Sequence, residues 1–182
     1  MDSIFEKIIA LRGYNVSMAN KEIERIQSLS IKAFKNWQDE KKWSIVNYHY
    51  CHNQFYKKIL NNTLPSDWSD LPIMQKSDYQ QDISELLSEG FNLSSLYIAN
   101  TSGSSGHPFF FAKDKFCHSM SWALIKSRYS TYKIKIDSKQ ARFFGISLKT
   151  SSWINEKIKD YIMNRVRFPV FDMSDKKMEA FI

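Results

Sequence analysis

A short run of hydroxyl and glycine residues, TSGSSG at residues 101–106, is the part of this sequence best suited to binding chemistry. Glycines allow backbone angles at which consecutive N–H groups converge on one anion, and neighbouring hydroxyls add further donors. The run therefore predicts a phosphate-binding loop, with an ordinary Ser/Gly turn as the alternative. Its members are Thr101, Ser102, Gly103, Ser104, Ser105 and Gly106.

Three other loop motifs do not fit these residues. The Walker pattern G-x-x-x-x-G-K-[ST] fails because His and Pro follow the run. The dinucleotide fingerprint G-x-G-x-x-G fails because Gly103 and Gly106 are the only glycines here. No G-x-S-x-G nucleophile elbow occurs in any register, so Ser104 and Ser105 are poor candidates for an acyl-enzyme nucleophile.

Positive charge is concentrated just downstream of the loop in the sequence. Residues 113–149 carry nine basic and two acidic side chains, whereas residues 1–112 carry 11 and 12, and residues 150–182 carry six and five. A local positive field attracts anions, so phosphates, acidic cofactors and nucleic acid are all candidate partners. Nucleic acid is disfavoured because no base-stacking aromatics alternate with the charges and no known module signature occurs.

Two other groups of reactive side chains carry little weight. The HYCHN stretch at residues 49–53 offers ligands at i and i+3, which is half of a zinc site, and no second pair follows. Cys117 precedes His118 directly, but adjacent residues on a helix point in different directions. The sequence therefore predicts no metal site and no thiolate nucleophile.

The elements that must position the loop are predicted from apolar spacing and capping residues. Ser3 and Glu6 form an S-x-x-E capping pattern for a helix over residues 3–11, and Ser77 with Gln80 forms another for a helix ending near residue 88. Other helices are expected over residues 20–40, 44–60, 114–132 and 153–163, with a last one capped by Ser174. Strands are expected over residues 96–99, 109–112, 141–146 and 166–171.

These elements predict the α/β class. Residues 1–95 are mainly helical and residues 96–182 alternate strand and helix, so we expect helices packed on one mixed sheet. The loop joins two of its strands. With 182 residues and 43% apolar residues, the chain is long enough for one domain or for part of a larger one.

The composition also indicates the cellular compartment of the protein. No apolar run approaches the roughly 18 residues that a membrane-spanning helix needs, and the N-terminus carries Asp2 and Glu6 where a signal peptide is basic and then apolar. Cys51 and Cys117 are distant in sequence and form no disulfide framework, which fits a reducing compartment. We expect a cytoplasmic protein without a membrane span.

The loop and its surroundings resemble the AMP-forming adenylating enzymes. TSGSSGHP at residues 101–108 matches their phosphate loop, [ST]-S-G-[ST]-T-G-x-P, except that Ser105 stands where Thr is usual. The most similar branch contains phenylacetate–CoA ligase and the CapK-like proteins of capsular polysaccharide biosynthesis. LPIMQKSD at residues 71–78 resembles that branch's L-P-x-x-x-K-x-D segment, and the basic, Trp-containing helix after the loop and residues 164–182 also resemble it.

The resemblance implies an ATP-dependent ligase that activates a small carboxylate. In such enzymes ATP and the acid give an acyl-adenylate and pyrophosphate, and CoA or another acceptor then takes the acyl group. Carried over, residues 101–106 would hold the β and γ phosphates of ATP, with Mg²⁺ bridging them. Many members have a Lys after the Pro of the loop, where this chain has Phe109, although ligases of the phenylacetate–CoA type often lack that Lys too.

The resemblance further implies that residues 1–182 are the incomplete large domain of a longer ligase. The family's motifs for adenine, ribose and the hinge, and its catalytic Lys in a small C-terminal domain, are expected beyond Ile182. No catalytic residue is therefore assigned, and we expect the chain to be inactive alone. The alternative is a non-catalytic remnant or interaction module that keeps the fold. An in-frame continuation with the aromatic-Gly-x-[ST]-E motif would favour the ligase.

Overall fold

The protein has a mixed α/β structure, as predicted. The computed structural model describes residues 3–101, 108–144 and 153–170, together with positions 174, 175 and 179. The helices of this described part are α1 (Ile4–Leu11), α2 (Val16–Gln27), α3 (Ile31–His52), α4 (Gln54–Ile59), α5 (Lys115–Thr131) and α6 (Trp153–Ile162). Its strands are β1 (Tyr97–Asn100), β2 (Phe110–Lys113), β3 (Gln140–Phe144) and β4 (Arg165–Pro169). Short 3-10 helices cover Trp68–Asp70, Lys76–Tyr79 and Leu93–Ser95.

The described strands form two small sheets. β1 and β2 pair antiparallel, and Asn100 lies opposite Phe110 at the end that leads into the loop. β3 and β4 pair parallel, as expected for strands joined through a helix. The prediction of one mixed sheet is therefore wrong for the described residues, because the antiparallel and parallel pairs lie in separate sheets.

The first helix begins where its capping pattern predicted. Ser3 Oγ accepts the Glu6 N–H at 3.2 Å, and the Glu6 carboxylate accepts the Ser3 N–H at 3.0 Å. Each side chain thus satisfies a backbone donor that a helix start leaves open. The capping box at residues 3–6 is confirmed.

The helix predicted over residues 20–40 is in fact two helices. α2 ends at Gln27, and Ser30 begins α3 by accepting the Ala33 N–H at 3.3 Å. Ile26 and Ala33 keep a helical spacing across the break, so the apolar period does not reveal it. A serine cap decides the boundary instead.

The helix predicted over residues 44–60 is interrupted at Asn53. α3 continues through His52, and the Asn53 side chain accepts the Tyr56 N–H at 2.8 Å to begin α4. Asn53 is only 5% exposed. The interruption therefore places a buried amide side chain between two helices.

The helix predicted from Ser77 to residue 88 is wrong. Only the short 3-10 helix Lys76–Tyr79 forms, and its capping box uses Gln75 and Asp78, whose carboxylate accepts the Gln75 N–H at 2.7 Å. Asp82 then accepts the Ser84 N–H at 2.8 Å in a local turn. Such side-chain bonds to nearby backbone compete with helix formation.

From residue 96 onward, each described element agrees with its prediction to within two residues. Asp114 begins α5 by accepting the Cys117 N–H at 2.6 Å. The helix predicted after Ser174 lies mostly outside the described residues.

The chain divides into two compact units. One is the single segment Ser17–Ser121, and the other combines Met1–Val16 with Trp122–Ile182. The core of the second unit joins Phe5, Ile136 and Met163. Across the described residues, no helix has both the length and the apolar character needed to cross a membrane.

Candidate functional site

The hairpin of β1 and β2 holds the two ends of the predicted phosphate loop together. Beyond the last paired residues, the Thr101 N–H donates to the Phe109 carbonyl oxygen at 2.9 Å. The Phe109 N–H in turn donates to Thr101 Oγ1 at 3.1 Å. These two bonds form a closed neck beneath the loop. The remaining predicted residues, Ser102, Gly103, Ser104, Ser105 and Gly106, lie outside the described residues.

Thr101 combines a structural bond with a remaining donor. Its hydroxyl oxygen accepts the Phe109 N–H, and a hydroxyl that accepts a bond still has its own proton to donate. Thr101 is exposed. A phosphate oxygen at the neck of the hairpin would therefore find a donor in place.

The LPIMQKSD motif at residues 71–78 ends beside this hairpin. Asp78 caps the 3-10 helix, and Tyr79, the next residue, packs edge-on against Phe109 with the ring centroids 5.7 Å apart. Phe109 is the residue that closes the neck. The residue that follows the motif thus packs against Phe109, which lies 30 residues further along the sequence.

Lys113 lies away from the neck that Thr101 and Phe109 form. Lys113 pairs with Tyr97, at the opposite end of the hairpin and about 10 Å along the strand from Phe110. Its ammonium donates to Ser121 Oγ at 3.2 Å and lies over the Phe111 ring, 5.5 Å from the centroid. Nearness in sequence therefore does not bring Lys113 to the neck.

A cavity of about 440 Å³ lies within the Ser17–Ser121 unit. Helices α3 and α4, residues 83–91 and strand β2 all contribute to it. Its wall includes the rings of Tyr48, Phe55, Tyr56, Tyr79, Phe109 and Phe111. A largely apolar cavity of this volume has the size of a small-molecule site.

A chain of polar side chains reaches one part of this cavity. Asn53 Oδ1 accepts the Tyr56 N–H, which fixes the orientation of the amide, so its Nδ2 donates to the Leu86 carbonyl at 2.9 Å and to Ser88 Oγ at 3.1 Å. Ser88 Oγ lies 3.1 Å from His49 Nδ1. Ser88 Oγ keeps its own proton and can donate it to His49 Nδ1. In the tautomer that accepts this proton at Nδ1, His49 carries its own proton on Nε2.

Burial sets the charge of the ionisable groups beside this chain. It lowers the pKa of His49, so the imidazole is neutral at pH 7. Burial also raises the pKa of Tyr56, and burial together with Tyr56 and Asp78 raises the pKa of Tyr79. The His49, Tyr56 and Tyr79 side chains are therefore uncharged at pH 7.

The Ser88–His49 contact lacks the features of a nucleophile and its base. Ser88 is 8% exposed, and its oxygen already accepts an N–H from Asn53. No carboxylate among the described residues bonds to His49 to orient it, as a catalytic triad requires. The contact instead ties residues 86–88 to α3.

The HYCHN stretch does not gather ligands. His49 lines the cavity, Cys51 is exposed, and His52 Nδ1 lies 3.9 Å from Glu89 Oε2. Over the part of the chain that the structure describes, no three His, Cys, Asp or Glu side chains are placed to hold a metal ion.

Cys117 and His118 have different surroundings. His118 stacks on Tyr97 with the ring centroids 4.0 Å apart, and burial, followed by Lys113, lowers its pKa. Cys117 is exposed and borders the cavity. A neutral imidazole does not stabilise a thiolate, so the pair has no sign of an activated nucleophile.

The cavity and its polar chain are the features that sequence reasoning missed. His49 and Ser88 are 39 residues apart, and neither belongs to a motif with a fixed spacing. The aromatic-rich stretch at residues 44–60 was the only local signal, and it predicted a helix rather than a binding wall.

The chain matches no family model, no curated protein and no solved structure.

Proposed function

We propose that this chain supplies the phosphate-binding part of an ATP-dependent, AMP-forming ligase that activates a small carboxylate. The observation that carries the proposal is the closed neck of Thr101 and Phe109, which holds together the ends of a loop with the sequence TSGSSG. Restricting a loop before binding reduces the entropy lost when its donors converge on a ligand. The fold is proposed to be the incomplete large domain of such an enzyme.

Support also comes from a second segment of the same resemblance. LPIMQKSD is followed directly by Tyr79, and Tyr79 packs on Phe109 at the neck. The residues that directly follow the two stretches thus contact each other, although 22 residues separate the end of the first stretch from the start of the second.

In the proposed reaction, the loop binds the group on which negative charge develops. A carboxylate oxygen attacks the α phosphorus of ATP, the new O–P bond gives the acyl-adenylate, and pyrophosphate leaves with the bridging oxygen. Negative charge grows on the leaving pyrophosphate. Each loop donor that bonds it is expected to lower the activation free energy by about 2–4 kcal/mol. Bound Mg²⁺ neutralises phosphate charge, and CoA or another acceptor then takes the acyl group.

Binding of ATP to the chain tests the loop directly. Titration calorimetry with ATP and Mg²⁺ should show binding to the native chain, and pyrophosphate should compete. Replacing Ser102 and Ser105 together by Ala should weaken ATP binding by about 10-fold or more, since hydrogen bonds to a charged group contribute about 1.5–3 kcal/mol each. The matched control replaces Ser94 and Ser130, two exposed serines outside the loop, by Ala. Absent ATP binding, or equal affinity of both double variants, would refute the phosphate site.

Pyrophosphate release separates a ligase from a binding module that keeps the fold without chemistry. In a longer parent enzyme, the Ser102→Ala, Ser105→Ala variant should release less pyrophosphate in the presence of the carboxylate. A parent that binds ATP but releases no pyrophosphate with any carboxylate would identify the module instead.

A further inference from the structure

We propose that the cavity of the Ser17–Ser121 unit binds a small, neutral aromatic molecule through a carbonyl oxygen held by His49 and Tyr56. This proposal uses neither the phosphate loop nor ATP, so it is independent of the adenylating function.

Two side chains with polar ring groups lie next to each other on the wall of this cavity. The rings of His49 and Tyr56 have their centroids 5.8 Å apart, and both residues line the cavity. Ser88 Oγ lies 3.1 Å from His49 Nδ1, and when the serine donates to Nδ1, the other ring nitrogen, Nε2, carries the proton that can bond a ligand. The Tyr56 hydroxyl bonds to no residue that the structure describes. A carbonyl oxygen has two lone pairs and suits two such donors.

One residue holds both donors in position. Asn53 accepts the Tyr56 N–H with its Oδ1 and donates to Ser88 with its Nδ2, and Ser88 in turn bonds His49. Asn53 and Ser88 are both buried, at 5% and 8% exposure. A donor pair fixed by buried hydrogen bonds loses little freedom when a ligand arrives.

The wall of the cavity favours a flat ring. Tyr79 lies between Phe55 and Phe109, at centroid distances of 5.7 Å from each, and Phe109 stacks with Phe111 at 5.8 Å. Aromatic rings at these separations form stacked and edge-on contacts that a further aromatic ring can extend.

The charges around the cavity favour a neutral ligand over a carboxylate. Lys113 and Asp114 both border it and have opposite signs, so together they add no net charge to its wall. His49 is neutral at pH 7 because burial lowers its pKa. An anion placed beside His49 and Tyr56 would lose its hydration, and these two neutral groups would supply no opposite charge.

Acetophenone, which joins a phenyl ring to a carbonyl group, is the probe for this site. In ¹H–¹⁵N NMR titrations of the full chain, it should bind with a dissociation constant of about 1 mM or tighter, as expected for a ligand of this size. The shifted amides should lie in α3, α4, residues 83–91 and β2. α-Methylstyrene, in which CH₂ replaces the carbonyl oxygen, should bind about 5–10-fold more weakly, and benzoate should also bind more weakly.

Two substitutions test the donors. Tyr56→Phe keeps the ring and should weaken acetophenone binding about 5-fold while leaving α-methylstyrene binding unchanged. His49→Phe should do the same, and if that variant does not fold, Tyr56→Phe decides the question. The matched controls are Tyr132→Phe, at a residue that is 76% exposed, and His52→Phe on the same helix as His49. Both controls should bind acetophenone like the native chain.

Three results would overturn the proposal. These are the absence of acetophenone binding, shifts confined to amides outside the cavity, and equal affinities of native chain and Tyr56→Phe for acetophenone. Each would leave the ATP titration unaffected, so failure of this site and failure of the proposed function are distinguishable.

Discussion

Glu6 links its own helix to a residue far away in the sequence. Its carboxylate closes the capping box with Ser3 and also accepts a hydrogen bond from Lys126 at 2.6 Å, 120 residues away. Burial by itself raises the pKa of Glu6, but the bonds from Lys126 and Ser3 outweigh it and leave that pKa below its usual value. The ionised carboxylate is therefore favoured in the folded chain.

Replacing Glu6 by Gln should lower the free energy of unfolding by about 1–2 kcal/mol at pH 7, because charged hydrogen bonds are lost. A pKa that is lower in the folded state adds stability above the unfolded value, and this stability disappears as the pH falls through the folded value. The difference between native and Glu6→Gln should therefore shrink below about pH 4. Urea unfolding at pH 7 and pH 3 measures it, with Glu24→Gln as an exposed control. If the stability difference between the native chain and Glu6→Gln is as large at pH 3 as at pH 7, the ionised Glu6 carboxylate is not its source.

Whether a single contact could be predicted depended on how far apart its two residues are in the sequence. The Ser3–Glu6 box spans three residues and was predicted, because a capping box has a fixed spacing. The bonds from Lys126 to Glu6 and between Ser88 and His49 join distant residues with no such spacing. The cavity's donors therefore could not be found before the fold was known.

Among the elements, the β1–β2 hairpin carries a side-chain hydrogen bond at its neck, between Thr101 Oγ1 and the Phe109 N–H. Thr101→Val keeps the shape and the branched side chain but removes the oxygen that accepts the Phe109 N–H. We expect the Phe109 amide to exchange about 5–10-fold faster in hydrogen-exchange NMR, since one hydrogen bond is worth about 1 kcal/mol. ATP affinity should fall as well if the loop binds phosphate.

Thr101→Ser is the matched variant, because it retains the hydroxyl. It should exchange and bind like the native chain. If Thr101→Val and Thr101→Ser behave alike in both measurements, the bond between Thr101 Oγ1 and Phe109 contributes neither to amide protection nor to ATP binding.

Element types were predicted more reliably than element ends. The hairpin strands, α5, α6, β3 and β4 follow from apolar runs separated by turn residues, and the structure has each of them. The breaks at Ser30 and Asn53 were missed because polar caps interrupt an apolar period that continues past them. In the Ser77 region, carboxylates at Asp78 and Asp82 take backbone N–H groups that a helix would have used.

At the scale of the whole molecule, Phe5 tests how the discontinuous unit is held together. It is 9% exposed and packs edge-on against Trp122 with the ring centroids 4.5 Å apart. Phe5→Ala should cost about 3 kcal/mol through lost burial and a residual cavity. Hydrogen exchange should accelerate for α6 and β3, and less for amides of the Ser17–Ser121 unit.

Phe116→Ala, at a residue that is 44% exposed, is the control and should change little. Equal acceleration in both units for Phe5→Ala would show that they open as a single cooperative unit, contrary to this expectation.

The α/β class was predictable at this scale, but the grouping of elements was not. Composition and alternating elements indicate α/β in general. They do not show that α1 belongs with the C-terminal residues, because the core that joins Phe5 to Ile136 and Met163 brings together residues far apart in sequence. For the same reason the sequence predicted one sheet where the described strands form two.

The discontinuity of this unit also sets an order of events on the ribosome. The segment Ser17–Ser121 has all of its residues once position 121 has been made. Phe5, in contrast, cannot complete its core until Met163 has been made. At about 5–20 residues per second, the first helix remains without its core for several seconds after it has left the exit tunnel. During translation its apolar side is thus available to chaperones, and nascent-chain crosslinking at Phe5 should detect them until α6 emerges.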